Sequence, residues 1–149
     1  MTVRLSTGLR AAMLNGGANG GMKGALSGGT IRIYSGPQPI SADAPATGTL
    51  LGIVTVDGAG GGLHFDTSTD GTLSKAAAEH WKFNGIAAGT AGWFRFTADG
   101  GFPDSNSSVE ARIDGTIATS GGDVSITNVA ITVGSPNTVD AFSFTLPPQ

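Results

Sequence analysis

The chain is 149 residues long, with eight basic and eleven acidic residues, a formal net charge of −3 and no cysteine. The missing cysteine excludes a disulfide framework, thiolate metal ligation and a cysteine nucleophile. A pI of about 5.1 with no Lys/Arg cluster leaves nothing to neutralise a phosphate backbone, so no nucleic-acid partner is expected.

Charged side chains make up 13% of the chain and glycine 25 residues, whereas a typical soluble domain is about one-quarter charged. Low net charge argues for a folded chain, because open chains of modest hydrophobicity are usually held apart by charge. The length suits one domain with a folded surface of about 7000 Å². Charges this sparse suit a surface covered by neighbouring subunits, or alternatively a Thr/Ser-rich β-protein that is simply uncharged. No apolar run reaches the roughly 18 residues of a membrane helix, and Arg4 and Arg10 interrupt the opening segment, so a soluble protein made in the cytoplasm is expected.

In chain order, Ser6 to Leu14 is the one candidate helix: Ser6 or Thr7 can cap it, and Leu5, Leu9 and Met13 share a stripe. Asn15 to Gly29 holds seven glycines and is expected to be a flexible connection. This divides the chain into an arm and linker over 1–29 and a β body over 30–149. Thr30 to Ser35 and Leu50 to Val56 are β-branched runs between turn signals and are expected to be strands. The three prolines between them, Pro37, Pro39 and Pro45, remove backbone donors and predict an ordered surface loop.

Asp57 to Gly62 is a turn. Leu63, Phe65, Trp81 and Phe83 then fall at alternate positions of the segments 62–66 and 80–84, and Ser74 to Glu79 suits a helical turn or more strand. Gly92 to Thr97 sets Phe94 and Phe96 against Trp93 and Arg95. Ser108 to Thr116 alternates Val109, Ala111 and Ile113 against Glu110, Arg112 and Asp114, which predicts a wet polar face. Apolar parity changes within Asp123 to Val133, so a bulge or a change of sheet is expected near Asn128. Phe142, Phe144 and Leu146 form a last strand. Seven or eight such strands indicate an all-β antiparallel sandwich or barrel, with a jelly-roll-like β-sandwich as the working expectation.

Motifs that carry chemistry are few. Asp66 to Gly71 matches the first half of a calcium loop, but Ala77 stands where the bidentate Glu belongs, so a turn rich in Asp and Thr is the better reading. The glycine-rich stretches lack phosphate-loop and dinucleotide spacing, and no Gly-x-Ser-x-Gly elbow occurs. His64 and His80 suit exposed strand positions better than metal ligation. No pair among the acids stands out as a glycosidase set. Tyr34, Trp81 and Trp93, with Asn84 or Asp99 alongside, could stack on sugars as in a carbohydrate-binding module, although core or interface anchoring explains such rings more simply. No catalytic residue, cofactor or metal is expected.

The stretch Ile31 to Pro39, continued by Ser41 to Ala44 and Ala46 to Leu51, resembles a small group of uncharacterised proteins encoded by tailed bacteriophages and prophages. Glu79-His80-Trp81, Ala88 to Arg95, Ile131 to Gly134 and Phe142 to Thr145 are similar to the same group. The resemblance covers most of the chain from Thr30 onward and implies a virion structural component, not an enzyme. Joined to the charge-poor surface, it makes a capsid decoration (cement) protein the leading expectation. Such a subunit would be a homo-oligomer, a trimer being one arrangement, residing in the virion on the major capsid protein without nucleic-acid or membrane contact. A neck or tail component and a carbohydrate-binding module are the alternatives. Thr2 to Leu14 and Gly36 to Pro45 are the expected contact segments, with Leu5, Leu9, Met13, Tyr34, Pro37, Pro39, Trp81 and Trp93 as candidate contacts.

Overall fold

A computed structural model describes residues 3–15 and 21–145. The elements are β1 (Arg4–Leu5), α1 (Thr7–Asn15), α2 (Gly21–Leu26), β2 (Thr30–Ser35), β3 (Leu50–Val56), β4 (Thr72–Ser74), β5 (Trp81–Asn84), β6 (Gly89–Thr97), β7 (Arg112–Ala118), β8 (Val124–Ile126), β9 (Ala130–Ile131) and β10 (Pro136–Thr145). Thr2, residues 16–20 of the expected linker and Leu146 lie outside the described residues.

Strands β7, β8, β10, β5, β3, β2 and β6 pair in that order, and β6 pairs back to β7, which closes a seven-stranded barrel. Every pairing around it is antiparallel except the parallel one between β7 and β8. β1, β4 and β9 add to its outside, on β7, β10 and β6. The all-β expectation therefore holds, and the jelly-roll sandwich is corrected to a closed barrel. Alternation has period two in both architectures; closure depends on β6 having partners on both sides, which no local pattern records.

Inside the barrel β2, β6 and β7 contribute Ile31, Ile33, Phe94, Phe96 and Ile113, all fully buried. Phe65, Trp81, Phe96 and Phe142 meet there with ring centroids 5.4 to 6.1 Å apart, Phe65 stacked on Phe96 and the other pairs tilted or edge-on, arrangements that aromatic quadrupoles favour. The ring of Phe83 lies against bare Gly52, where a Cβ would come within 2.2 Å of it. Leu63 and Phe65 are buried through isolated bridges instead of a regular strand. The parity change near Asn128 marks a change of partner: β8 pairs with β7 and β10, whereas β9 pairs with β6. Between them the Asn128 side chain accepts from Ala130 N at 2.9 Å.

The described parts of the expected arm and linker pack against the barrel. Leu9, Met22 and Leu26 belong to the same buried cluster as the barrel interior, and β1 pairs with β7. Within the expected linker, residues 21–26 form α2, which buries Met22 and Leu26 one helical turn apart. Ser6 caps α1 by accepting from Leu9 N at 3.1 Å, and Asp43 takes the Thr7 amide at 2.8 Å and its hydroxyl at 2.6 Å. Gly8 admits the backbone of 109 and 110, since a Cβ there would meet the Val109 carbonyl oxygen at 2.2 Å. Leu9→Ala is therefore expected to destabilise the whole fold by about 2–5 kcal/mol, read as a lower urea midpoint at unchanged slope; an unchanged midpoint would mean that the helix is dispensable.

Candidate functional site

The second face of β2, β6 and β7 is the unusual part of the molecule. Register sets Tyr34, Trp93 and Thr116 in one row, Arg32, Arg95 and Asp114 in the next, and Thr30, Thr97 and Arg112 in the third. Arg4 of β1 extends the middle row, opposite Asp114. Alternation predicts that this face is wet, yet Arg95, Arg112, Asp114 and Trp93 are fully buried. The physical reason is a roof of two loops, the proline loop 36–49 and the loop 98–111, which accept the donors the face presents.

Arg95 gives Nε and Nη2 to the two oxygens of Asp114, both at 2.7 Å. Its Nη1 donates to the carbonyls of Ala44 at 2.9 Å and Pro103 at 2.7 Å, one from each loop. Arg112 donates to the carbonyls of Ser105 at 2.8 Å, Ala42 at 3.4 Å, and Phe102. Arg4 donates to the Pro39 carbonyl, and Ser107 N to the Asp43 carbonyl joins the two loops at 2.9 Å. Trp93 Nε1 donates to the Thr47 carbonyl at 3.2 Å, while its ring stacks on Tyr34 at 4.6 Å and carries the Arg95 guanidinium at 5.4 Å. Tyr34 donates to Asp104 at 2.5 Å.

The electrostatics follow from this burial. Burial pushes the Asp114 carboxyl up, against the pull of Arg95, Arg112 and Arg4. Burial and then Arg95 pull the Arg112 guanidinium below its ordinary value. Burial, reinforced by the Asp104 hydrogen bond, raises the Tyr34 hydroxyl well above its usual range, so it remains a donor.

Of the eight candidate contact residues, Leu9, Tyr34, Pro39, Trp81 and Trp93 are buried, Leu5 and Met13 are half-buried, and Pro37 is exposed. The aromatic candidates are thus corrected to structural anchors: Trp81 and Trp93 are 1% and 0% exposed and Tyr34 3%. Of the exposed apolar side chains on the roof, Ile40 falls within the expected contact segment Gly36 to Pro45, whereas Phe102 and Val109 lie outside both expected segments. Ile40 is 89% exposed, Val109 82% and Phe102 68%, each on a loop pinned by the arginines. The three prolines signal the first loop; Asp99-Gly100-Gly101 and Pro103 to Ser107 are the turn signals of the second, whose end alternates like a strand.

His64 Nδ1 meets Glu79 Oε1 at 2.7 Å, and Glu79 Oε2 accepts from the His64 amide and Trp81 Nε1. This clips the turn before β5 to the segment 62–66. Asp70 and Gly71, with φ of 50° and 74°, are the central pair of a two-residue hairpin closed by Thr69 and Thr72, and the Asp66 carboxylate takes Ala77 N at 2.9 Å. Among the described residues no group of three or more His, Asp or Glu is placed to hold a metal ion. A groove of about 690 Å³ runs along Lys82, Asn84, Asn128 and Thr138, lined by amides and hydroxyls and by the Lys82–Asp57 ion pair. No protein-family model, curated protein or solved structure matches the chain.

Two outcomes test this construction. Asp114→Asn leaves the buried Arg95 guanidinium without its counter-charge and is expected to cost about 3–5 kcal/mol, seen as a large drop in thermal midpoint; a change within error would show that the carbonyls alone suffice. Burial pushes Asp43 and Glu79 up, but hydrogen bonds from Thr7 to the first and from His64 and Trp81 to the second leave both below the usual carboxylate range. Their folded values lie below the unfolded ones, so their stabilisation is present above the unfolded carboxylate range and is lost as pH falls through the folded values. Asp43→Asn and Glu79→Gln should each flatten the acid limb of a stability–pH curve, and an unchanged limb would exclude the residue concerned.

Proposed function

We propose that the chain is a non-enzymatic structural subunit of a bacteriophage virion, foremost a capsid decoration protein that binds the major capsid protein and acts as a homo-oligomer. The observation that carries this reading is the set Ile40, Phe102 and Val109, largely exposed on loops whose carbonyls are gripped by Arg4, Arg95 and Arg112. Large exposed apolar side chains on a held surface are a feature of contact sites. The scarcity of charge and the sequence resemblance support the same reading. Contact is assigned to the two loops instead of a free arm, because Leu9 is buried in the body. The glycan-binding alternative loses its platform, since its three rings are buried.

Purified virions should contain this protein in hundreds of copies, in fixed ratio to the major capsid protein. Six or twelve copies would assign it to the neck or tail instead. Phe102→Asp and Ile40→Asp should abolish binding to capsids lacking the protein while leaving circular dichroism and thermal midpoint near wild type. Retained binding by both variants would sink the assignment of this face.

A further inference from the structure

We infer that the groove running between β9 and the paired strands β5 and β10 is a binding site for an uncharged saccharide, separate from the roof and from the buried rings of Tyr34, Trp81 and Trp93. Its volume of about 690 Å³ falls within the roughly 300–1,000 Å³ of small-molecule sites. Asn84 at the end of β5, and Asn128 and Thr132 on either side of β9, are exposed and line it. Lys82 and Asp57 line it as well, with Nζ and Oδ1 3.8 Å apart.

The wall formed by β9 tells against a peptide. Ala91 N donates to the Val129 carbonyl, so the backbone groups of 129 face β6 and, by alternation, those of 130 and 132 face away from it. The outward amides are already taken, Ala130 N by Asn128 Oδ1 at 2.9 Å and Thr132 N by Ser135 Oγ at 3.3 Å. The Thr132 carbonyl in turn accepts from Ser135 Oγ at 2.7 Å. An added strand would find neither amide of this edge free to pair. Charge tells against an anion, because Lys82 and Asp57 cancel. The shape tells against a flat base, since Phe83, the aromatic residue of the lining, is 2% exposed and offers no ring to stack on.

The groups left free suit hydroxyls. Among the described residues nothing hydrogen-bonds to the Asn84 carboxamide, which offers both donors and an acceptor. Asn128 uses its oxygen on Ala130 N and keeps its Nδ2 donors. At 3.8 Å the Lys82 and Asp57 heads are too far apart to hydrogen-bond each other, so one donates and the other accepts toward a ligand. A sugar hydroxyl both donates and accepts, and two neighbouring ones match the oxygen and nitrogen of a carboxamide. Ala130 and Pro136, both exposed on the lining, give the C–H face of a pyranose an apolar contact. A neutral polyhydroxy ligand thus uses every kind of group the groove presents.

Titration of the isotope-labelled full chain with maltohexaose, cellohexaose, chitohexaose and mannohexaose, followed by NMR, tests this directly. At least one should give saturable shifts at the side-chain amides of Asn84 and Asn128 and at the Thr132 backbone amide, at millimolar concentration or below. Asn84→Ala and Thr132→Val change exposed side chains, so each should keep the wild-type thermal midpoint while weakening binding of that saccharide about 5–10-fold. Phe102→Asp, on the roof, should bind it as wild type does. No saturable shift with any of the four saccharides, shifts that map outside the groove, or wild-type affinity in both groove variants would each overturn the assignment. So would a tighter response of the same amides to inorganic phosphate or to a hexathreonine peptide.

Discussion

The fold depends on a fully buried pair, Arg95 and Asp114, which face each other across β6 and β7. Taking two ions out of water costs several kcal/mol each, and their attraction offsets this only where every remaining donor finds a partner. Asp114 takes two of the guanidinium's bonds. Both Nη1 donors go to Ala44 and Pro103, one in each covering loop, so loop closure and ion-pair burial require one another. The pair also fixes register. A slip of one residue between β6 and β7 would turn Arg95 or Asp114 toward the apolar interior, a far larger penalty than a lost apolar contact.

Burying both faces of three strands changes the meaning of the composition. Arg95, Arg112 and Asp114 are consumed inside, so a chain already poor in charge shows even less of it outside. The interior face is filled by Phe, Trp and Ile packed ring to ring; the second face is filled by guanidinium, indole and phenol stacked under backbone carbonyls. The two faces are stabilised differently. Aromatic burial tolerates small shifts in geometry, whereas bidentate pairing of Arg95 does not, so the polar face is the more exacting of the two.

Strand existence was legible wherever β-branched residues alternated, as in Ile31 and Ile33 or Phe94 and Phe96. What alternation could not reveal was what lay over the polar parity. Arg112 and Asp114 have the pattern of a wet face, and only the fold brings carbonyls from forty or more residues away in sequence, such as Ala42 and Ala44, to cover them. The same limit hid the true start of β7: Val109 fits the alternation but is 82% exposed. Glycine content hid α2 as well, since Met22 and Leu26 at one-turn spacing were outweighed by their neighbours. Leu9 was correctly placed on an apolar stripe, but the stripe faces this molecule's own core.

The proposed partner-binding role draws on this difference between the two faces. An apolar side chain on a slack loop must lose backbone freedom when it meets a partner, and that ordering opposes association. Here the ordering of residues 39–44 and 102–105 has been completed during folding, through bonds from Arg4, Arg95 and Arg112 to carbonyls in both segments. Ile40 and Phe102 are consequently offered in a fixed arrangement, on a background with few charges to desolvate. Backbone carbonyls are the anchoring points, so the outward side chains of both loops can vary without disturbing the roof. That separates what holds the surface from what the surface touches, and it lets contact chemistry be retuned at Ile40, Phe102 or Val109 without altering the buried face beneath.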